Sequence, residues 1–285
     1  MGRLACHFVL LLTLGFAAWR AEAAPAEPPP LVLAVHPYLP SNEIQQRFAP
    51  LADYLGTLME RRIVVRTGRD YEEHVSAIGS NSVDIAFMGP SSYVLMVARY
   101  GSKPLLARFE VAGQPFLSGV IIVRADSPLR TLTDLKARRF AFGDRDSTMS
   151  SLVPQYMLQE AGVSLAALGA YDYLGGHKNV ALGVLSGDYD AGAVKREVFD
   201  ELASRGLRVL ANMPTVSEHL FVTRSDLPPA QVEVLRRGLL ALKSRPEGLA
   251  IMREIHKGIT GMVPVVDADY QSLRAMMRAL GIISR

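Results

Sequence analysis

From Leu31 onward, short runs rich in β-branched residues alternate with segments whose apolar residues recur every three or four positions. That alternation is the pattern of strands joined by crossover helices, and it predicts an α/β chain built on mostly parallel sheet. Leu31 to Val35, Ile63 to Arg66 and Val83 to Met88 read as the first three strands. Between them, Ile44, Phe48, Leu51 and Leu55 share one helical face, with Ser41 as its cap and Pro50 as an expected kink. Asp70 and Glu73 form a D-x-x-E cap over a helix ending near Ile78. The second half repeats the logic. Strands are expected at Val120 to Val123 and Arg139 to Phe142, with a short helix at Leu132 to Leu135. A longer helix from Thr148 to Ala161 is closed by Gly162. Beyond a strand at Leu220 to Thr223, helices opening at Asp226-Leu227-Pro228, at Pro246 and at Asp269 are expected to cover the first half. Their methionines read as core.

A weak internal repeat sharpens this. Ala77 to Met88 and Val184 to Val194 each consist of a helix end, a polar turn, an aspartate and a small-residue strand, and Asp84 and Asp190 lie 106 positions apart. Any helix-turn-strand unit shares some of these traits, so two similarly built halves and a chance likeness are both compatible with the repeat alone.

The 285 residues suffice for two modest domains, and 49% hydrophobic residues supply their cores. Charge is nearly balanced, 31 basic against 28 acidic side chains, without a dense basic run, which argues against nucleic acid as a partner. Arg3, the apolar run Leu4 to Ala18 and the small-x-small site Ala21-Glu22-Ala23 read as a cleavable signal peptide over residues 1–23, implying export to the periplasm. The single cysteine, Cys6, lies inside that segment, so the exported chain has no thiol chemistry.

Motifs for a nucleophile, a metal or a phosphate-cradling lysine loop are missing: there is no G-x-S-x-G, H-E-x-x-H or G-x-x-x-x-G-K-[ST]. The expectation is a non-enzyme without cofactor or metal. What the chain does carry is two strand-to-helix junctions rich in hydroxyls, Phe87 to Tyr93 and Phe142 to Ser151. A helix start leaves backbone N–H groups unpaired and carries partial positive charge, so hydroxyls there complete a donor cage for an anion. The same residues also cap helices that bind nothing.

Asp70-Tyr71, the run Asp84 to Val94 with Gly89-Pro90-Ser91-Ser92-Tyr93, Ser147-Thr148 followed by Leu152-Val153-Pro154, and Gly176-His177 resemble the periplasmic phosphate/phosphite/phosphonate-binding proteins of ABC importers. The resemblance covers nearly all of the exported chain. It implies the type II periplasmic-binding-protein fold, two α/β lobes with a hinge and an interlobe ligand cleft, here 24–116 with 216–285 and, for the second lobe, 117–215. It also implies capture of a small phosphorus-type oxyanion for delivery to a permease in the inner membrane. Carried over, the ligand residues are Tyr93, Ser147, Thr148 and His177, with Ser92 beside the first. Many relatives read Ser-Thr-Ser at the second junction. Met149 stands at the third place here, where its N–H remains available, and Ser150 is the compensating hydroxyl.

Tyr38, Lys195 and Glu197 are weaker candidates for the cleft. Lys195, Arg196 and Glu197 follow the second repeat's strand where Gly89 and Pro90 follow the first, and which of the three turns inward is open. A carboxylate in the cleft, from Asp144, Asp146 or Glu197, would favour a protonated anion over sulfate. The same closing cleft would also serve a periplasmic partner of a sensor histidine kinase. A secreted α/β hydrolase using His177 is the third reading.

Overall fold

The structure, a computed structural model, describes residues 28–284; the expected signal peptide lies outside the described residues. The first half runs β1 (Leu31–Val35), α1 (Ser41–Leu58), β2 (Ile63–Thr67), α2 (Tyr71–Gly79), β3 (Ile85–Met88), α3 (Pro90–Tyr100) and β4 (Leu105–Val111). The chain crosses over at β5 (Phe116–Leu117) into β6 (Gly119–Arg124), β7 (Arg139–Phe142), α4 (Val153–Glu160), β8 (Ala170–Tyr173), α5 (His177–Ser186), β9 (Ala191–Lys195), α6 (Arg196–Leu202) and β10 (Leu207–Asn212). It returns at β11 (Val216–Ser217) to β12 (Leu220–Thr223), α7 (Pro229–Ala241), α8 (Pro246–Ile255), β13 (Ile259–Val263) and α9 (Gln271–Ala279). None of the described helices is long and apolar enough to cross a membrane.

Two sheets result, ordered β13-β4-β12-β3-β1-β2 and β10-β6-β9-β7-β8. Each has a parallel trio, β3-β1-β2 in one and β9-β7-β8 in the other, flanked by antiparallel strands, so the sheets are mixed rather than mostly parallel. The first sheet takes β12 and β13 only after the chain has travelled through the other lobe, and these returning strands enter in the opposite sense. Both crossings pair with each other, Val216 with Leu117 and Ser217 with Phe116, as a two-stranded ribbon between the lobes.

The internal repeat has a structural counterpart. The Asp84 carboxylate accepts the N–H of Val32 at the start of β1, and the Asp190 carboxylate accepts the N–H of Arg139 at the start of β7, each at 2.8 Å. In both lobes this aspartate fastens the amino-terminal start of the central parallel strand to its neighbour, so the two parallel trios are pinned by the same device.

Several local expectations are corrected. Ser41 is the first residue of α1 rather than its cap. Pro40 precedes the helix without a side-chain bond, because proline and the chain direction already set the entry. Pro50 lies inside α1, which continues unbroken while Ile44, Phe48, Leu51 and Leu55 stay fully buried; their packing outweighs the missing bond. Thr148–Leu152 forms a wide turn before α4 rather than the start of a regular α-helix. Asp269 closes a short turn by accepting the Val266 N–H and does not cap α9. That last helix is not simply a cover for the first lobe: it packs on α3 and also on α4 of the second lobe.

Candidate functional site

The carboxyl ends of the parallel strands in the two lobes face each other, the position where open α/β sheets receive ligands. At the first of these ends β3 runs through Gly89 into α3, with Pro90 at the first helical position, where its missing N–H costs nothing. At the second, β7 runs through Gly143 to Ser147, whose hydroxyl accepts the Ser150 N–H at 3.3 Å as a cap. The N–H groups of Thr148 and Met149 have no acceptor among the described residues, the ordinary condition of a first helical turn.

The two junctions dock directly. Ser91 donates its N–H to Thr148 Oγ1 at 3.1 Å, Thr148 Oγ1 donates to Ser91 Oγ at 3.0 Å, and Ser91 Oγ donates to the Asp146 carbonyl at 2.7 Å. Ser91 and Thr148 are buried while Asp146 is exposed, and the bonds join one lobe to the other. Ser150 is fully buried with its hydroxyl unpartnered, wedged against Gly143 so tightly that a Cβ there would come within 2.1 Å of Ser150 Oγ.

Beside this seam lies a group of imidazoles. His36, at the end of β1, stacks on His219 at 5.3 Å between ring centroids, and both stack on Phe87 at 5.4 Å. Tyr38 and Tyr71 lie 4.9 and 5.6 Å from His36. His74 lies 6.1 Å away, fully buried, near the Phe87 carbonyl but without a hydrogen bond to it. Burial lowers the His74 pKa to about 4, and burial with His219 and His74 nearby lowers that of His36 well below its ordinary value. Burial by itself would raise the Glu218 carboxyl, but hydrogen bonds from the His219 ring and backbone hold it below the ordinary value.

From the second lobe, His177 opens α5 after Gly175, whose positive φ of 75° is a turn that glycine takes without strain. Its Nδ1 accepts the Lys195 N–H at 3.2 Å, and burial followed by the charge of Lys195 lowers its pKa to about 3, so the ring is neutral. The three residues left open after β9 now separate. Arg196 turns to Asn212 on β10. Glu197 reaches across to His256 at the end of α8, 3.0 Å away, and that hydrogen bond holds its carboxyl down at about 2. Lys195 lies in the field of His36, His177, His219 and Glu218 and forms no ion pair among the described residues.

The expected tyrosine turns elsewhere. Tyr93 donates its hydroxyl to Asp267 at 2.7 Å, where Arg274 also bonds, and its ring packs on Tyr270 at 4.7 Å. Two helical positions past Ser91, its side chain is rotated away from the opposing junction and into the core. Ser92 Oγ is buried without a partner and borders a narrow crevice with Leu95, Leu152 and Met277 rather than the imidazoles. The Met149 side chain points toward Gly119 and Met213 in the core, leaving only its N–H for the cleft. Asp144 accepts the Asp146 N–H at 2.9 Å, bracing the loop before Thr148. Sequence reasoning missed His36, Glu218, His219 and Ser91. The available signal was position: His36 follows the central strand β1, and β12 pairs Leu220 with Met88, which sets His219 beside Gly89.

Residues 33–270 match the family described as the phosphonate periplasmic substrate-binding protein of ABC transporters. The chain belongs to that family. It is 26% identical to the phosphate-import protein PhnD of Mycolicibacterium smegmatis over 287 residues, covering 92% of this chain and 89% of that protein. It is 26% identical to the phosphonates-binding periplasmic protein of Escherichia coli over 229 residues, 75% of this chain and 68% of that one. PhnD1 from Prochlorococcus marinus, solved in complex with methylphosphonate, superposes with a TM-score of 0.77 at 20% identity, covering 89% of this chain and 98% of that chain. The family is one of periplasmic solute-binding components, not of enzymes, and the solved likeness shows its two-lobed fold.

Proposed function

We propose that this chain is the exported receptor that captures a small phosphonate, phosphite or phosphate in its interlobe cleft and presents it to an inner-membrane permease. The observation that carries the reading is the meeting of two helix starts from different lobes, Ser91 on Thr148, next to a group of neutral imidazoles and Lys195, which has no ion pair among the described residues. Hydrogen bonds to a charged acceptor contribute about 1.5–3 kcal/mol each, so a handful of donors holds an oxyanion at micromolar affinity without full countercharge. The donors assigned to it are the N–H groups of Thr148 and Met149, the Ser150 hydroxyl, His177 Nε2–H and Lys195. Tyr38 and Tyr71 form the wall.

The lobes that close are residues 24–116 with 216–285 and residues 117–215, pivoting on the ribbon of β5 and β11. Residues 1–23 direct export. Calorimetry of the purified exported chain with phosphate, phosphite, methylphosphonate and sulfate tests this. One phosphorus anion should bind in the micromolar range or tighter while sulfate binds at least a hundredfold more weakly; a silent phosphorus panel overturns it.

A further inference from the structure

Histidine rings report their tautomers through their partners, and here the partners on the two lobes differ in kind. His36 Nδ1 lies 3.3 Å from the Phe87 carbonyl, which only accepts, so Nδ1 carries the proton. His219 Nδ1 lies 2.8 Å from a Glu218 carboxylate oxygen, again an acceptor. In neutral rings this leaves Nε2 of both as a bare lone pair. The two Nε2 atoms converge on one spot: a Cβ on Gly89 would lie 3.8 Å from His219 Nε2 and 4.0 Å from His36 Nε2, with only the His219 ring carbon Cδ2, at 3.9 Å, in between. Neither Nε2 forms a hydrogen bond among the described residues. His177 is wired the other way. Its Nδ1 accepts the Lys195 N–H, so its Nε2 is a donor.

We propose that His36 and His219 are the specificity-determining acceptors of the cleft, and that they select a phosphorus oxyanion that still carries an acid proton. A dianionic phosphonate offers only lone pairs and meets lone pairs at this spot, whereas the monoanion turns its P–O–H toward one of the two imidazoles. Sulfate and sulfonates have no such proton near neutral pH and are rejected for the same reason. The acceptor role that a cleft carboxylate would play is therefore taken by imidazoles, since Asp144 braces its own loop, Asp146 is exposed and borders the crevice at Ser92, and Glu197 is engaged with His256.

Neutrality of the pair follows from its surroundings. His36 faces His74 and Tyr71 of α2, Tyr38 of the following loop, His219 and Lys195; His219 faces Glu218, Lys195 and Glu197. Burial, the neighbouring imidazole and the lysine all oppose a charge on His36. Burial, the largest influence on His219, keeps its pKa below the ordinary value despite the Glu218 carboxylate.

The inference rests on the receptor reading, and one experiment separates the two. Binding of methylphosphonate and of difluoromethylphosphonate, whose second ionisation falls at lower pH, is measured by calorimetry from pH 5.5 to 9 on the exported chain. Each association constant should be level below that ligand's second ionisation and fall about tenfold per pH unit above it, so the fall begins earlier for the fluorinated compound. In His219→Gln, and separately in His36→Gln, the amide can donate as well as accept, and the fall should shrink below threefold per unit. Coincident falls for both compounds, or equal affinity for the dianion, overturn the acceptor assignment while leaving the receptor standing. Absence of binding by either compound at every pH removes both.

Discussion

Thr148→Val removes one hydroxyl and almost no volume, which makes it a clean probe of the seam between the lobes. In the structure that hydroxyl accepts the Ser91 N–H at 3.1 Å and donates to Ser91 Oγ at 3.0 Å, bonds that require the two junctions to be docked. Two net hydrogen bonds amount to about 1–3 kcal/mol. Ser91 Oγ keeps its bond to the Asp146 carbonyl, but the Ser91 N–H, in a residue only 4% exposed, is left without an acceptor. In an opened cleft water takes up all of these groups, so the loss falls on the closed form alone. The closed-to-open ratio should therefore drop by about 5–150-fold, and ligand affinity with it, because a receptor binds through the fraction that closes. A dye pair at Asp200→Cys on α6 and Glu254→Cys on α8, both exposed, reads the closure directly in a chain produced from residue 24 onward, which lacks Cys6, the one cysteine of the sequence. An affinity within twofold of wild type, together with an unchanged distance distribution, would refute the claim that this seam holds the closed state.

Other consequences follow from the same contacts. Gly143→Ala should destabilise the chain by about 1–3 kcal/mol in denaturant melts, because its Cβ would overlap the buried Ser150, and Ser150→Gly in the same chain should restore most of the loss. Glu197→Gln should change ligand affinity less than threefold, since its pair with His256 is nearly half exposed and such pairs contribute well under about 1 kcal/mol. Acid should weaken the fold early. His74 binds its proton at about pH 6.5 when unfolded but only near pH 4 when buried, so the unfolded state binds more protons in between and stability falls as pH drops through that window. The His74 contribution at pH 5 is about 2 kcal/mol, and His74→Phe should flatten that part of the stability profile.

The α/β alternation, the strand positions and the two hydroxyl-rich junctions were legible because they depend on local chemistry: β-branched runs, helix-starting residues and glycines where strands stop. The likeness of Asp84 and Asp190 was legible as pattern, but its meaning was not, because each carboxylate bonds a residue about fifty positions away. Side-chain direction at a helix start was the hardest element to read. Ser91, Ser92 and Tyr93 are consecutive, yet one faces the other lobe, one a narrow crevice and one the core, a rotation of about 100° per residue that no composition reveals. The imidazole pair escaped notice for a different reason. His36 and His219 are 183 positions apart and meet only because β12 inserts antiparallel beside β3.

The placement of Tyr93 also bears on how the two lobes would move apart. Its bond to Asp267, the Arg274 bond to the same carboxylate and the Tyr270 ring tie α3 to the segment leading into α9. From there α9 buries Leu273 and Met277 in a core cluster shared with α4 of the second lobe. Separating α9 from α4 would expose those side chains at about 25 cal/mol per Å² of apolar surface, whereas separating Ser91 from Thr148 exposes polar groups that water satisfies. On that contrast, opening is expected on the polar side, as a rotation about the β5–β11 ribbon and the C-terminal helix rather than a parting of two bodies. A phenol on the pivot side would keep its bond to Asp267 through such a rotation, which suits a brace and not a contact made only when the cleft shuts. Tyr93→Phe should accordingly lower thermal stability while leaving the affinity of the folded receptor within about twofold, and a tenfold loss of affinity at unchanged stability would return this residue to the ligand.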